Sequence, residues 1–387
     1  MPNKIIRITT VPMALRNLLR GQMKYMKENG FEVIMISADG PGYEEVIKNE
    51  GCRHIIVPMT RRITPLLDLQ SLLRLYKIIK KERPDIVHTH TPKAGLLGML
   101  AAFFCGVKIR IHTVAGLPLM TERGFKLKLL KFIEKVTYRA ANKVWPNSES
   151  LYNFILENKL TNSAKLKVIG KGSSNGIDLS RFDPAHIDPV ILNEIKLSLQ
   201  YDHSCTYLLF IGRLVLDKGI RELVNVFSRI LPKYPNLKLI LVGSFEQELD
   251  PLPLNVLEEI KSNSSIIHVN WTENGAYYMM ISNCFIFPSH REGFPNVVLQ
   301  AGAMDLPVIC SSIPGNVDIV KEGITGLLFQ TGNEEEMFLK IVYALENANK
   351  MNSMAATLKK IITTDFPQEK IWKLILGEYN EMIRVKE

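Results

Sequence analysis

The sequence predicts an α/β protein built as two doubly wound, Rossmann-like domains. Three observations carry this: a length of 387 residues, short apolar runs alternating with longer amphipathic ones, and the return of that rhythm in the second half. One ordinary domain rarely passes ~250 residues, whereas two of roughly 150–200 account for this chain. Strands alternating with helices at this spacing form parallel sheets covered by helices. Hydrophobic residues make up 46% and charged residues 22%, which excludes disorder and collagen-like structure. Cys52, Cys105, Cys205, Cys284 and Cys310 are odd in number and form no CxxC pair. That argues against a disulfide scaffold or a cysteine zinc site and for a reducing, cytoplasmic setting.

In the first half, Lys4–Thr9 reads as a strand and Leu15–Asn29 as a helix closed by Gly30. Glu32–Ser37 is a strand, Tyr43–Asn49 a short helix, His54–Val57 a strand and Leu66–Lys81 a helix. Asp85–His88, Val107–Thr113, Lys143–Pro146 and Leu166–Ile169 complete the strands. In the second half, the strands Tyr207–Gly212, Leu237–Gly243 and Ile266–Asn270 alternate with the helices Ile220–Leu231 and Leu254–Lys261. Cys284–Pro288, Val308–Cys310 and Gly326–Phe329 are the remaining strands. The longest apolar run, Ala94–Val107, has 14 residues against the roughly 20 of a spanning helix, so it reads as a buried core helix. The opening MPNKIIRITTVP lacks a signal-peptide pattern.

The join falls at Gly170-Lys171-Gly172-Ser173-Ser174-Asn175-Gly176, whose glycines and serines read as a hinge. It lacks the GxxxxGK[ST] spacing of a phosphate loop, and no GxGxxG is present. Domain boundaries of 1–172 and 176–365 follow. Residues 1–190 carry 30 Lys+Arg against 16 Asp+Glu, and residues 191–387 carry 18 against 23. A basic half joined to a mildly acidic one implies an anionic partner for the first: nucleic acid, an acidic membrane surface or a phosphorylated substrate.

In parallel sheets ligands bind beyond the carboxyl ends of strands, so unusual strand-end loops are the candidates. Ser289-His290-Arg291-Glu292-Gly293-Phe294-Pro295-Asn296 is one. The helix starting near Pro295-Asn296 offers the backbone N–H groups of Phe294–Val298 to an anion. Glu292 either accepts hydrogen bonds from sugar hydroxyls or caps that helix. Gly212-Arg213-Leu214-Val215-Leu216-Asp217-Lys218-Gly219 is the other. Arg213 and Lys218 either hold a diphosphate or are ordinary surface cations.

FIGRLVLDKG, followed ~70 residues later by PSHREGFPNVVLQAGA, resembles the donor half of glycosyltransferase family 4, retaining enzymes of the GT-B fold. VHTHTPKAGLLGML, RIHTVAGLP, KVWPNSESL and NGIDLSRF are similar to bacterial enzymes that extend lipid-linked glycans for capsule, O-antigen or protein glycosylation. The resemblance implies two Rossmann-like domains facing across a cleft, an N-terminal acceptor domain and a C-terminal nucleotide-sugar donor domain. A last segment from about 366 to 387 would cross back to the first. It implies that Arg213 and Lys218 bind the donor diphosphate and that Glu292 contacts the transferred sugar. Gly293, Phe294 and Pro295 would shape the loop, while Asn296 and Val297 offer backbone amides. The donor would be a nucleotide sugar, most simply a UDP-sugar, with no cofactor and no dedicated metal. The acceptor would be a polyprenyl-diphosphate-linked saccharide.

Two positions depart from the family pattern. Gln300 stands where a second Glu usually binds the ribose hydroxyls, eight residues after Glu292. A neutral amide there costs about 1–2 kcal/mol of donor binding. Ala115 stands before Gly116 where many relatives carry a His, leaving the backbone of both or a neighbour such as His90 to line the acceptor side. In HTHTPKAG, His88 and His90 lie two apart and point the same way on a strand, without a third ligand at zinc spacing. Lys93 and a helix start near Gly95 would receive an acceptor phosphate.

The segment Arg123–Arg139 alternates Lys126, Lys128, Lys131, Lys135 and Arg139 with Phe125, Leu129, Leu130, Phe132 and Ile133. It can lie on an anionic membrane, with Arg61, Arg62 and Ile63 on the same face, or bury its apolar stripe as an ordinary helix. Nucleic acid is disfavoured because no recognition motif accompanies the charge. The reading is therefore a glycosyltransferase, hexosyl or N-acetylhexosaminyl, peripherally bound at the inner face of the cell membrane. The alternatives are a nucleotide-sugar 2-epimerase of the same fold and a non-catalytic sugar-nucleotide-binding subunit.

Overall fold

The computed structural model describes residues 2–248 and 250–385. The chain divides into two compact units, Met1–Asn175 with Glu369–Glu387, and Gly176–Gln368. The first holds a six-stranded sheet made of β1 (Asn3–Ile8), β2 (Phe31–Ser37), β3 (Arg53–Ile56), β4 (Ile86–Thr89), β5 (Ile109–Val114) and β6 (Lys143–Pro146), in the order β3-β2-β1-β4-β5-β6. The second is made of β7 (Thr206–Ile211), β8 (Leu237–Val242), β9 (Ile266–Val269), β10 (Cys284–Phe287), β11 (Val308–Ser311) and β12 (Leu327–Phe329), in the order β12-β11-β10-β7-β8-β9. Read from the other edge, the second order repeats the first. All neighbouring strands in both sheets pair parallel.

Parallel strands buried on both faces need near-continuous apolar runs, and NKIIRI and TYLLFI supply them. In β1, Ile6 and Ile8 join one core cluster while Ile5 joins another on the opposite face, as the two-residue alternation requires. The helix Pro92–Phe104 lies on the first of these faces. It approaches closely because Gly95 and Gly98 carry no Cβ: one at Gly95 would strike the His112 ring, and one at Gly98 would lie 2.7 Å from Thr89 Cγ2. The other face is covered by the helix Gln368–Arg384, whose Ile371, Ile375, Tyr379 and Ile383 recur every fourth residue and are buried. In the second unit Phe210, Phe285 and Phe287 stack through the sheet centre.

Three sequence expectations need correction. Leu15–Asn29 is not one helix but two, Pro12–Leu18 and Gln22–Glu28, separated at Gly21 with φ +79°. The Glu50 carboxylate accepts from the backbone N–H of Gly21 (2.6 Å) and Lys24 (3.0 Å), so a distant acid starts the second helix. Leu166–Ile169 makes one isolated bridge, Val144 to Leu166, instead of a strand. The helix carrying Gly95 begins at Pro92, so Gly95 serves packing instead of marking the helix start. The basic segment is the helix Gly124–Ala140. It buries Glu134, Thr137, Tyr138 and Ala140 while Phe125 and Phe132 remain exposed.

Candidate active site

Each sheet reverses its strand order once, between β1 and β4 in the first unit and between β7 and β10 in the second. The crevice beyond the strand ends at such a point is where doubly wound folds bind ligands. In the second unit the β7 loop carries Arg213 and Lys218, and the β10 loop carries Glu292. Lys218 ends a 3-10 turn, Leu216–Lys218, and Gly219 follows at φ +70°. A Cβ at Gly219 would collide with the Pro288 carbonyl oxygen, so glycine is required both by the left-handed backbone and by the approach of the two loops.

The Lys218 ammonium forms an ion pair with the Glu292 carboxylate, and both side chains are mostly buried. Ser289 Oγ donates to Glu292 Oε1 at 2.9 Å. Lys218 Nζ also lies 5.5 Å from the centre of the Phe287 ring. Arg213 pairs with Glu246, in the loop after β8. The geometry therefore joins Lys218 to Glu292 directly, while Arg213 has a different acidic partner. Gly293 and Phe294 are buried, with the Phe294 ring 5.3 Å from that of Phe366. The helix Asn296–Ala303 follows with Pro295 at its N-cap and no side-chain cap. Asn296, Val297 and Gln300 are half-buried and share one face by their spacing.

Sequence reasoning missed the partners of this loop pair. Arg291 Nη2 lies 2.9 Å from Asp217 Oδ2 and its Nε donates to Oδ1 at 3.1 Å. His290 Nε2 lies 3.3 Å from Glu222 Oε1. Burial opposes ionisation of Glu222, but contact with His290, its own backbone amide and Arg221 outweigh it and hold the carboxyl at about 2. The same contact, against burial, raises the His290 imidazole above its ordinary value. The available signal was the complementary charge of DKGIRE and HRE, legible only once the loops are known to meet.

In the first unit, the end of β4 carries His88 and His90, their rings 4.1 Å apart and both buried. Burial pushes both imidazoles well below their ordinary value, with help from Arg7 and His112. Among the described residues no third His, Cys, Asp or Glu joins them as a metal group. Arg7 is an unforeseen participant: it is buried on β1 and donates from Nη1 to Tyr379 Oη at 2.6 Å and from Nη2 to Gln22 Oε1. Tyr379 Oη lies 2.5 Å from His88 Nδ1, and His88 Nε2 lies 2.7 Å from Thr113 Oγ1. Tyr379 Oη, which accepts from Arg7, thus links the guanidinium to one nitrogen of the His88 ring, and Thr113 Oγ1 meets the other. Gln22 Nε2 and Trp372 Nε1 both donate to Asn175 Oδ1, at 3.0 and 2.6 Å. The segment read as a hinge is thus tied down at Asn175 within its own unit. His90 has both ring nitrogens buried without a protein partner.

Lys93 is not open to solvent: its ammonium pairs with Asp68 at 2.7 Å and donates to Thr60 Oγ1, Thr64 Oγ1 and the Arg62 carbonyl. Ala115 and Gly116 are half-buried just after β5. His112 points to the opposite face, against Gly95 and Tyr138, so it does not fill the place that Ala115 leaves without a side chain.

Two units, each with a parallel six-stranded sheet of this order, have the architecture of the GT-B fold. The chain belongs to the family 4 glycosyltransferases. Residues 17–181 match Glycosyltransferase Family 4 and residues 194–361 match Glycosyl transferases group 1. It is 34% identical to the capsular polysaccharide biosynthesis glycosyltransferase CapM of Staphylococcus aureus, over 99% of this chain and 98% of the relative. It is 25% identical to the Escherichia coli UDP-Gal:alpha-D-GlcNAc-diphosphoundecaprenol alpha-1,3-galactosyltransferase, over 98% and 97%. Its fold matches the Anabaena protein HepE, solved with UDP and glucose, at a TM-score of 0.80 and 15% identity over 98% of this chain and 100% of that one. The chain is accordingly a transferase, and the epimerase and non-catalytic readings are set aside. Among the described residues no helix is long and apolar enough to cross a membrane.

Proposed function

We propose that this enzyme moves a hexosyl or N-acetylhexosaminyl group from a UDP-sugar to a polyprenyl-diphosphate-linked saccharide, with retention of configuration. The observation that carries the donor half is the Lys218–Glu292 ion pair at the switch point of the second unit, beside the uncapped start of Asn296–Ala303. On donor binding the pair exchanges partners. Lys218 and Arg213 turn to the diphosphate, and Glu292 accepts from sugar hydroxyls. Gly293, Phe294 and Pro295 shape the loop, Asn296 and Val297 offer backbone N–H groups, and Gln300 reaches the ribose. As the glycosidic bond breaks, negative charge grows on the leaving diphosphate, and preorganised cations and amides stabilise it. The acceptor reading rests on the names of the CapM and galactosyltransferase relatives and assigns the acceptor to the first unit near His90, Ala115 and Gly116. Lys93 contributes there only by giving up Asp68.

The same reading places the first unit on the inner face of the cell membrane. Leu66, Leu69 and Leu73 are exposed at i, i+3 and i+7 on the helix Pro65–Glu82, as are Phe125 and Phe132 on Gly124–Ala140. Both helices pack on Pro92–Phe104. With Lys126, Lys128 and Lys135 nearby, such apolar stripes suit an anionic lipid surface. The test offers a panel of UDP-sugars with an undecaprenyl-diphosphate-linked saccharide, read by mass spectrometry, alongside flotation with anionic and neutral liposomes. Transfer from a UDP-sugar to the lipid is expected. Products from free sugars alone, or flotation indifferent to anionic lipid, would overturn the acceptor and membrane parts respectively.

A further inference from the structure

Three consecutive residues of the β10 loop, His290, Arg291 and Glu292, each pair with a residue of the β7 loop or the helix after it: Glu222, Asp217 and Lys218. Arg291 and Glu292 carry opposite signs, as do their neighbouring partners Asp217 and Lys218, so a shift of that pairing by one residue would bring like charges together. A backbone bond reinforces the match, from His290 N–H to the Asp217 carbonyl at 2.9 Å. Asp217 is itself anchored, its N–H donating to Asp250 Oδ2 at 2.8 Å. Behind the loop, Ser311 Oγ donates to the Ser289 carbonyl at 2.5 Å, and Asn316 Nδ2 donates to the Ser311 carbonyl at 2.9 Å.

Of the three pairs, only Lys218–Glu292 joins groups that the donor reading sends to the substrate. When it opens, the remaining two are the side-chain ion pairs that hold the loops against each other, beside the His290–Asp217 backbone bond. We infer that His290 and Arg291 are positioning residues of the donor site: through Glu222 and Asp217 they keep the two loops in register while Lys218 and Glu292 exchange their mutual pair for the donor. This rests on the donor reading above. The pairs suit the task. Arg291 grips Asp217 with two nitrogens, a geometry that resists rotation. Glu222 is 5% exposed at its side chain, so its charge is screened little by solvent. The charged groups around His290 are Glu222, Asp217 and Arg221 opposite, and Arg291 and Glu292 on its own loop, while the loop after β12 reaches its ring with the uncharged Gly332.

The test measures UDP binding to the full chain by calorimetry from pH 6 to 9. The variants are Arg291→Ala, Arg291→Lys, His290→Gln and the exchanged pair Asp217→Arg with Arg291→Asp. Arg291→Ala and His290→Gln are expected to raise the UDP Kd about three- to tenfold. Arg291→Lys restores part of the loss and the exchanged pair most of it, since the backbone bonds of Asp217 survive. The His290–Glu222 pair is complete below the ordinary histidine value and is lost as pH rises through the higher value of the folded protein. Wild-type affinity should therefore carry a decline at rising pH that His290→Gln lacks. UDP binding by wild type with both single variants within twofold and the same pH profile would overturn the inference alone. No UDP binding by wild type would overturn the donor reading and the inference with it.

Discussion

The two switch points are built on the same strand order yet are filled in opposite ways. Beyond β7 and β10, charges are paired across the loops: Lys218 with Glu292, Arg291 with Asp217, Arg213 with Glu246. Beside β1 and β4, the groups are buried and their imidazoles neutral, and the one guanidinium, Arg7, bonds to a phenol and an amide. In the proposed function the first set gives up its partners to an incoming diphosphate, whose oxygens take the place of the acidic partners of Lys218 and Arg213. A buried network rigidifies strand ends and is costly to open. On that proposal one fold supplies an exchangeable site and a fixed one.

The largest expected effect separates chemistry from folding. Lys218→Met and Glu292→Gln should each lower transfer about 100- to 1,000-fold, far more than any change in the folded fraction, although each leaves a mostly buried partner unpaired and lowers the unfolding transition. Transfer within tenfold of wild type would remove the charged loops from the mechanism.

The second effect is a pH response that differs between the two units. Burial holds His54 and His112 at about 4, and His88 and His90 well below their ordinary value. These groups favour folding while neutral, so their contribution is present above the unfolded value near 6.5 and is lost as pH falls toward 4. For His112 it is about 3 kcal/mol. Glu134, raised by burial to about 7, opposes them, favouring the fold as pH falls. With His290 raised, the second unit keeps that ion pair in the same window. Hydrogen exchange at pH 5 and 7.5 should show protection falling in the first unit and holding in the second. Equal loss in both would erase the contrast.

The smallest effect concerns Gln300. Gln300→Glu should tighten UDP binding by up to tenfold, about 1–2 kcal/mol, by restoring a charged acceptor one turn beyond Asn296. Calorimetry showing complete loss of binding would remove Gln300 from the ribose contact.

Much of the fold was legible because parallel strands need continuous apolar runs and their helices need apolar stripes, both of which are local patterns. The failures are equally physical. Leu15–Asn29 reads as one helix because its break depends on Glu50 and on Trp372, whose ring would meet a Cβ at Gly21. Arg7 lies in a run that reads as plain apolar strand, and nothing local says that Tyr379 and Gln22 wait for it. In the β7 and β10 loops, Lys218 and Glu292 were visible through family resemblance, whereas the pairing roles of Glu222, Glu246 and Asp217 were not, since an acidic residue has no local mark of its partner.

By itself, the sequence determined the two-unit α/β architecture, the charge imbalance between the halves and the identity of the two charged loops, because periodicity, composition and motif are properties of contiguous residues. Only the tertiary structure decided that Lys93 is held by Asp68 and that His112 faces Gly95 instead of the strand end. It alone paired His290, Arg291 and Glu292 with Glu222, Asp217 and Lys218. Each of those depends on which side chain a distant segment brings within about 3 Å, the range over which hydrogen bonds and close ion pairs act.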